Sequence, residues 1–263
     1  MIVDYTTRPS EARAQALRFS VLGWSAWSPD RETRSAWRRW AGAPEAAGED
    51  AQPTTLPPML RRRLGKFGQK LVGVASDCAA GLPAGRYVLS TRHGEFSRAL
   101  ATLDAIEADG LPSPTDFSMS IHHALLGLLS IHSVNRLGHT ALSAGWDSFA
   151  NGLLEAAACV AERPQEPVVL IHADEPLPGD YAMFGQADEA ALPLAMAVCL
   201  GGPGHSAPGS APADDILFSV APAPAGVAAS PSMALDFLRF VLSRAPNARS
   251  VGRRLQWMCR RAV

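Results

Sequence analysis

Short runs of alternating or continuous apolar residues, bounded by glycine, proline and charged residues, recur along the chain. Runs of this length and pattern are typical of β-strands. They cover residues 16–25 (ALRFSVLGWS), 85–91 (GRYVLST), 140–143, 167–174 (PVVLIHAD), 190–200 and 215–220 (DILFSV). The run at 167–174 is apolar almost throughout, which indicates a strand buried on both faces, as in a parallel sheet.

Apolar residues at helical spacing occupy most of the segments between these runs. The predicted helices begin at Pro29 or Asp30, at Leu56 and near residue 95, and then cover residues 118–134, 146–161 and 231–243. The helix over 118–134 is mostly apolar and is predicted to be buried, whereas residues 43–55 read as a loop. Alternating strands and helices predict an α/β fold with a mixed sheet and buried helices, formed by a single domain of residues 1–263.

Composition and charge narrow the class of protein. The chain has 263 residues, of which 47% are hydrophobic and 19% are charged, as expected for a globular domain. Its net charge of −1 argues against binding to nucleic acid, which normally requires a basic excess. The N-terminus does not resemble a secretory signal, and no uncharged apolar run approaches the ~18 residues of a membrane span. We therefore expect a cytoplasmic protein without membrane insertion.

Cysteine and histidine residues give no sign of a metal or cofactor. The four cysteines are scattered, and no two lie at metal-ligand spacing. The adjacent His122 and His123 point to different faces of a helix, whereas a metal site on a helix needs a pair on one face. We therefore expect neither a metal nor a cofactor.

The most informative segment is residues 111–157, which resembles β-ketoacyl synthases. In that family, a Ser-Pro and a Phe lead into a helix with the pattern S-x-x-N-x-x-x-G-x-x-S-I, then a short strand and a T-A-C-x-S elbow that carries the nucleophilic cysteine. The residues that match are Ser113, Pro114, Phe117, Ser120, Gly127, Ser130 and Ile131. At the elbow the sequence is SAGWDSF, with Gly145 in the place of the cysteine, and His123 replaces the asparagine.

Further segments narrow the resemblance to ketosynthase-like proteins of bacterial aryl-polyene (xanthomonadin-type) gene clusters. These segments are GWSAW, WRRWA, LPPMLRRRL and YVLSTRHGE, and the resemblance spans roughly residues 17–242. It implies a thiolase-like fold that is either one half of a ketosynthase or a reduced version of it.

The resemblance also implies that this chain cannot carry out the condensation. Glycine offers no thiolate to hold the acyl chain. The two histidines that stabilise the enolate in the family come from a second structural half, yet after residue 160 only His172 and His205 remain, neither in a matching context. The implied function is that of a non-catalytic subunit resembling a chain length factor, paired with a catalytic ketosynthase and served by an acyl carrier protein.

By the same resemblance, site residues are assigned to three surfaces. The contact with the catalytic subunit would use His139, Thr140, Ala141, Leu142 and Trp146, with the helix over 118–134. The end of the partner's acyl tunnel would meet Phe117, Met119 and Ile121. The acidic carrier protein would dock on Arg61, Arg62 and Arg63, although these arginines also fit an ordinary solvated helix face.

Two alternatives stay open from the sequence. Ala141–Gly145 (ALSAG) is a variant of the hydrolase nucleophile elbow, so Ser143 could serve a serine hydrolase or thioesterase, with Asp174 and His205 as the available acid and base. The second alternative is a homodimeric protein that binds acyl chains without a partner. Asp147 and Ser148 are expected to cap the helix that follows the elbow.

Overall fold

Strands of the chain form one mixed sheet in a computed structural model, which describes residues 16–44, 50, 54–184, 193–209 and 214–262. Within these residues the strands are β1 (Leu17–Trp27), β2 (Arg86–Ser90), β3 (His139–Leu142), β4 (Val168–Asp174), β5 (Leu194–Gly201), β6 (Asp215–Pro222), β7 (Asn247–Val251) and β8 (Leu255–Arg261). Their order in the sheet is β3-β2-β4-β5-β1-β6-β8-β7. The strand β2 is parallel to β3 and β4, and the other neighbours are antiparallel, which confirms the predicted mixed sheet.

Helices cover both faces of this sheet. They are α1 (Arg34–Ala41), α2 (Pro58–Arg63), α3 (Lys66–Ala79), α4 (Phe96–Asp109), α5 (Pro114–Met119), α6 (Ala124–His132), α7 (Ser148–Glu162) and α8 (Met233–Ser243). One core cluster packs α1, α7 and α8 on one face, with Trp37, Leu153 and Phe237 fully buried. The other packs α2, α3 and α6 on the opposite face, with Val72 and Leu126 at its centre. The architecture is therefore three-layered, and its α/β class is as predicted.

The prediction of a single buried helix over residues 118–134 is wrong. The chain forms two helices there, α5 and α6, separated by a turn at residues 120–123. Serine hydroxyls end α5, because Ser118 and Ser120 donate to the carbonyl oxygens of Pro114 and Phe117 at 2.7 and 2.8 Å, in competition with the helical backbone bonds.

Two other predicted helices differ in their bounds. The helix predicted from Leu56 is interrupted, because Leu64 and Gly65 are extended and the Gln69 side-chain amide donates to the carbonyl oxygens of Arg61 and Leu64 at 3.1 and 3.4 Å. The first helix begins at Arg34 instead of Pro29 or Asp30, since the Thr33 hydroxyl caps it by accepting from Ala36 N. Of the predicted loop at 43–55, residues 45–49 and 51–53 lie outside the described residues.

The C-terminal hairpin β7–β8 has no counterpart among the predicted elements. Trp257 and Cys259 of β8 are buried against α8, whereas the alternate residues Met258 and Arg260 are exposed. This period of two is the ordinary signature of a half-buried strand. The alternation was not identified from the sequence, because this segment is rich in arginine.

Candidate functional site

The chain turns sharply at Gly145, between the end of β3 and the start of α7. Gly145 is exposed and has φ +60°, and a Cβ added there would meet nothing within 4 Å. The Ser148 hydroxyl holds this elbow by accepting from Ala144 N at 3.0 Å and donating to the Gly145 carbonyl at 2.7 Å. A side chain at position 145 would therefore stand in open space at the N-terminus of a 15-residue helix.

Trp146, next to the elbow, is half-buried and contacts two guanidinium groups. Arg92, just after β2, lies 4.1 Å from the ring centroid, and Arg253, in the β7–β8 turn, lies 4.4 Å from it. Such cation–π contacts fix the ring in place. Trp146 was predicted to contact a partner. In the structure it contacts Arg92 and Arg253, and so links the elbow to the end of β2 and to the β7–β8 turn.

Asp147 ties the elbow to the C-terminal hairpin. Its side chain is buried and accepts from Arg254 N at 3.1 Å and from Leu255 N at 3.3 Å. The expectation that Asp147 caps α7 is wrong, because its carboxylate caps the β7–β8 turn instead. Gly252 makes room for it, since a Cβ at this position would collide with Asp147 Oδ1.

A buried polar network lies at the carboxyl ends of β2 and β4, close to the elbow. Ser90 Oγ lies 2.9 Å from His172 Nδ1, and His172 Nε2 lies 3.5 Å from Asp174 Oδ2. Asp174 Oδ1 accepts from Thr91 Oγ1 at 3.0 Å and from Arg92 N at 2.6 Å. Burial lowers the pKa of His172, although Asp174 opposes the shift. The ring is therefore neutral at pH 7 and holds two strands together.

Ser143 is exposed, but its surroundings do not suit a hydrolase. Its hydroxyl donates to the Arg92 carbonyl at 2.8 Å. Among the residues that the structure describes, no histidine ring or carboxylate is hydrogen-bonded to it, since His172 contacts Ser90 and Asp174, and His205 Nδ1 contacts the Gly202 carbonyl. Within the described residues, Ser143 thus has no hydrogen-bonded general base.

The four thiols are poor candidates for a nucleophile. Cys78, Cys199 and Cys259 are buried, and Cys159 is half-buried. Burial raises the pKa of each thiol, that of Cys199 to about 12. In the described part of the chain, no three histidine, cysteine or acidic side chains are placed to hold a metal ion. Over the same residues, no helix combines the length and apolar character needed to cross a bilayer.

The strand β3 forms one edge of the sheet. It pairs with β2 on one side, and no described strand pairs with its other side. Four of the five residues that were predicted to contact a partner, His139 to Leu142, lie on this strand and are half-buried. The backbone groups on the outer side of β3 are thus open to pairing with another chain.

Large apolar side chains are exposed around the helices that precede β3. They are Leu103 and Ile106 of α4, Phe117 of α5, and Leu111, Ile121, Ile131, Val134 and Leu137. Phe117 is 58% exposed and Ile131 is 76% exposed. Of the three predicted tunnel residues, Phe117 and Ile121 lie on the surface. Met119 is buried in the chain's own core with α3 and α6, so its assignment to the partner's tunnel is not supported.

The predicted docking arginines, Arg61 to Arg63, form the last turn of α2 and are all exposed. Arg98 of α4 donates to the Arg63 carbonyl at 2.9 Å and forms ion pairs with Glu95 and Asp116. Through these bonds Arg98 connects α2, α4 and α5. The basic turn is thereby fixed next to the helices that carry the exposed apolar side chains.

Comparisons with known proteins agree with this geometry. A family model described as β-ketoacyl synthase, N-terminal domain matches residues 37–259. Among curated protein sequences no significant match was found. A chain from the structure of the ketosynthase ApeO with its chain length factor ApeC from Xenorhabdus doucetiae superposes with a TM-score of 0.76 at 24% identity, over 93% of this chain and 100% of that chain. The two chains are therefore similar in length.

Two further solved structures have the same fold at lower identity. The ishigamide ketosynthase/chain length factor superposes with a TM-score of 0.53 at 17% identity, over 78% of this chain and 67% of its own. A type II polyketide synthase ketosynthase in complex with its acyl-carrier protein superposes with a TM-score of 0.62 at 14% identity, over 79% and 70% of the two chains. The chain has a thiolase-like ketosynthase fold and belongs to the β-ketoacyl synthase N-terminal domain family.

Proposed function

We propose that this chain is a non-catalytic partner of a β-ketoacyl synthase, acting as a chain length factor in aryl-polyene biosynthesis. The observation that carries the proposal is Gly145, which is exposed at the elbow where the family places its cysteine. All eight described strands belong to one sheet, so we treat residues 1–263 as one domain.

Condensation needs a thiolate to hold the acyl chain, and the described residues around the elbow supply none. The native thiols are buried or half-buried, with raised pKa values. The nearby His172 is buried and engaged with Ser90 and Asp174. An acyl chain delivered to this elbow would find no group to accept it.

A catalytic ketosynthase is the partner that the surface of the chain suits. We define the β3 face as β3 together with the exposed side chains of Phe117, Ile121 and Ile131. An open strand edge beside large exposed apolar residues is unfavourable in a lone chain and is normally covered by another protein. We infer that the ketosynthase continues the sheet at β3 and covers these side chains. The fold likeness to a chain from a complex of a ketosynthase and its chain length factor supports this inference.

Tunnel length and carrier docking follow from the same arrangement. Phe117 and Ile121 would contact the far end of the partner's acyl tunnel, and Arg61 to Arg63 would attract an acidic acyl carrier protein through complementary charge. The exposure of these residues supports both assignments.

The test is to co-express the chain with the catalytic ketosynthase of its own gene cluster and to measure complex formation and product length with the matching carrier protein. We expect a stable heterodimer, and polyene products that become shorter or disappear when the chain is left out. Phe117→Asp and Ile131→Asp should each weaken the complex at least about tenfold, because an apolar contact is replaced by a buried charge.

Val227→Asp is the matched control, since Val227 is an exposed apolar residue in the loop after β6. It should leave the complex unchanged. A ketosynthase that makes the same products at the same rate without this chain would refute the proposal. An isolated chain whose mass corresponds to a homodimer, with no affinity for the ketosynthase, would favour the homodimeric binding protein instead.

A further inference from the structure

An open groove of about 310 Å³ lies beside β3, between the end of that strand and the outer surface of α7. Leu142, Leu154 and Ala158 give it apolar walls, and Ser143, Asn151 and Glu155 add polar groups. Leu154, although apolar, is 37% exposed. The groove is thus continuous with the β3 face, and apolar surface in it is open to solvent.

The polar groups of the groove are suited to accept hydrogen bonds. Asn151 Nδ2 donates to the Asp147 carbonyl at 2.9 Å, so its Oδ1 is the atom that remains for another group. Glu155 Oε1 is 3.8 Å from the Cys159 thiol, a weak donor. Among the described residues no ion pair includes Glu155.

Arg86 of β2, whose charge acts on the Cys159 thiol, forms no ion pair with this carboxylate among the described residues. Arg86 of β2 donates to Thr140 Oγ1 at 3.1 Å, which directs it toward β3. The groove therefore combines apolar walls with one carboxylate, that of Glu155, which forms no ion pair among the described residues.

We propose that this groove receives a lysine or arginine side chain from the catalytic ketosynthase subunit; this inference rests on the proposed function. Such side chains place their methylene stems along apolar surface while the charged end stays at polar groups. Leu142, Leu154 and Ala158 would contact the stem. Glu155 and Asn151 Oδ1 would accept from the cationic end.

The occupant follows from charge and from position. A carboxylate partner would be repelled by Glu155, and a purely apolar side chain would bury the Glu155 carboxylate without a partner, which is unfavourable. Pairing of a partner strand with the outer side of β3 brings that strand and its flanking residues next to the groove. A cationic side chain from the partner satisfies both conditions.

The experiment measures the dissociation constant between this chain and the catalytic ketosynthase at low and high salt. Glu155→Gln keeps the shape of the side chain and removes its charge. We expect binding to weaken about tenfold or more, because the partner's cation loses its counter-charge in the interface, and the salt dependence of binding to decrease. Glu162→Gln, on the same helix and outside the groove, is the control and should bind as the wild type does.

Ala158→Trp provides a second variant, since Ala158 is exposed and a large ring would fill the groove without entering the core. It should weaken binding even where Glu155→Gln fails to fold. If the wild-type chain binds the ketosynthase and both variants bind equally well, the groove inference is overturned while the proposed function stands. If the wild-type chain does not bind the ketosynthase, both are overturned.

Discussion

Replacing Gly145 with cysteine returns a thiol to the position that the family uses for its nucleophile. Gly145 has φ +60°, a region in which a residue with a Cβ costs about 1–2 kcal/mol. Since a Cβ there meets nothing within 4 Å, this backbone term is the whole expected penalty. A domain with a stability of about 5–15 kcal/mol tolerates it, so Gly145→Cys should fold.

The new thiol should be more acidic than a free cysteine. It would stand at the N-terminus of α7, where a negative charge gains about 0.3–1 kcal/mol from the helix dipole. Because one pKa unit corresponds to about 1.4 kcal/mol, the dipole alone lowers the pKa by a few tenths of a unit. Arg92 and Arg253, which contact the adjacent Trp146, add to this. We expect a pKa about one unit below the ~8.5 of a free thiol.

The assay is the rate of alkylation by iodoacetamide as a function of pH. Cys159 is the one native thiol that is not fully buried, so the measurement belongs in a Cys159→Ser background, with that single variant as the control. Gly145→Cys should react faster than every native thiol and should still show no condensation of malonyl and acyl thioesters. An unreactive cysteine would mean that the elbow is misplaced, and condensation by this chain alone would refute the non-catalytic assignment.

Three further predictions concern stability and chemistry near the elbow. Gly252→Ala should lower the free energy of unfolding in urea by about 2–3 kcal/mol, because the new Cβ collides with Asp147. The control is Gly73→Ala in α3, where the new Cβ meets open space, and this variant should raise the free energy of unfolding by up to about 1 kcal/mol. The pKa of His172 is lowered in the folded chain, so below pH ~6.5 the unfolded chain binds more protons than the folded one. The contribution of His172 to the free energy of unfolding is therefore complete above that pH and is lost as the pH falls. The difference in unfolding free energy between the wild type and His172→Gln should shrink from pH 7 to pH 5, and a constant difference would contradict this. Glu95 and Glu175, whose pKa values are raised, contribute the opposite slope in both proteins and cancel in that comparison. A fluorophosphonate probe should not label the wild-type chain, and labelling that disappears in Ser143→Ala would restore the hydrolase interpretation.

Strands were the elements best predicted from the sequence, because the apolar residues of a buried strand are visible in its own short segment. The sequence VVLIHAD is buried at all seven positions of β4, as its mostly apolar composition indicates. The α5–α6 break was missed because it depends on where Ser118 and Ser120 place their hydroxyls, and a serine in an apolar run is equally compatible with a continuous helix. The hairpin β7–β8 was missed because its arginines concealed the alternation of Leu255, Trp257 and Cys259.

For the site, the position of the elbow could be derived from the motif, but its surroundings could not. The contacts of Asp147 with Arg254 and Leu255 join residues more than a hundred positions apart, and the local sequence around Asp147 suggests only a helix cap. The Ser90–His172–Asp174 network likewise depends on β2 and β4 being neighbours. Only the spacing of His172 and Asp174, two residues apart on one strand, could have indicated that they share a face.

The position of β1 has a consequence for how the protein is made. Although β1 is the first strand of the chain, it lies in the interior of the sheet, and it pairs Ser20 with Gly201 on one side and Leu17 with Phe218 on the other. Such long-range pairing gives a high contact order and slow folding. Until residues 194–222 have been synthesised, β1 has two unpaired edges and an apolar surface that includes Phe19. The nascent chain is therefore prone to aggregation until these residues have been made and β1 can pair with β5 and β6.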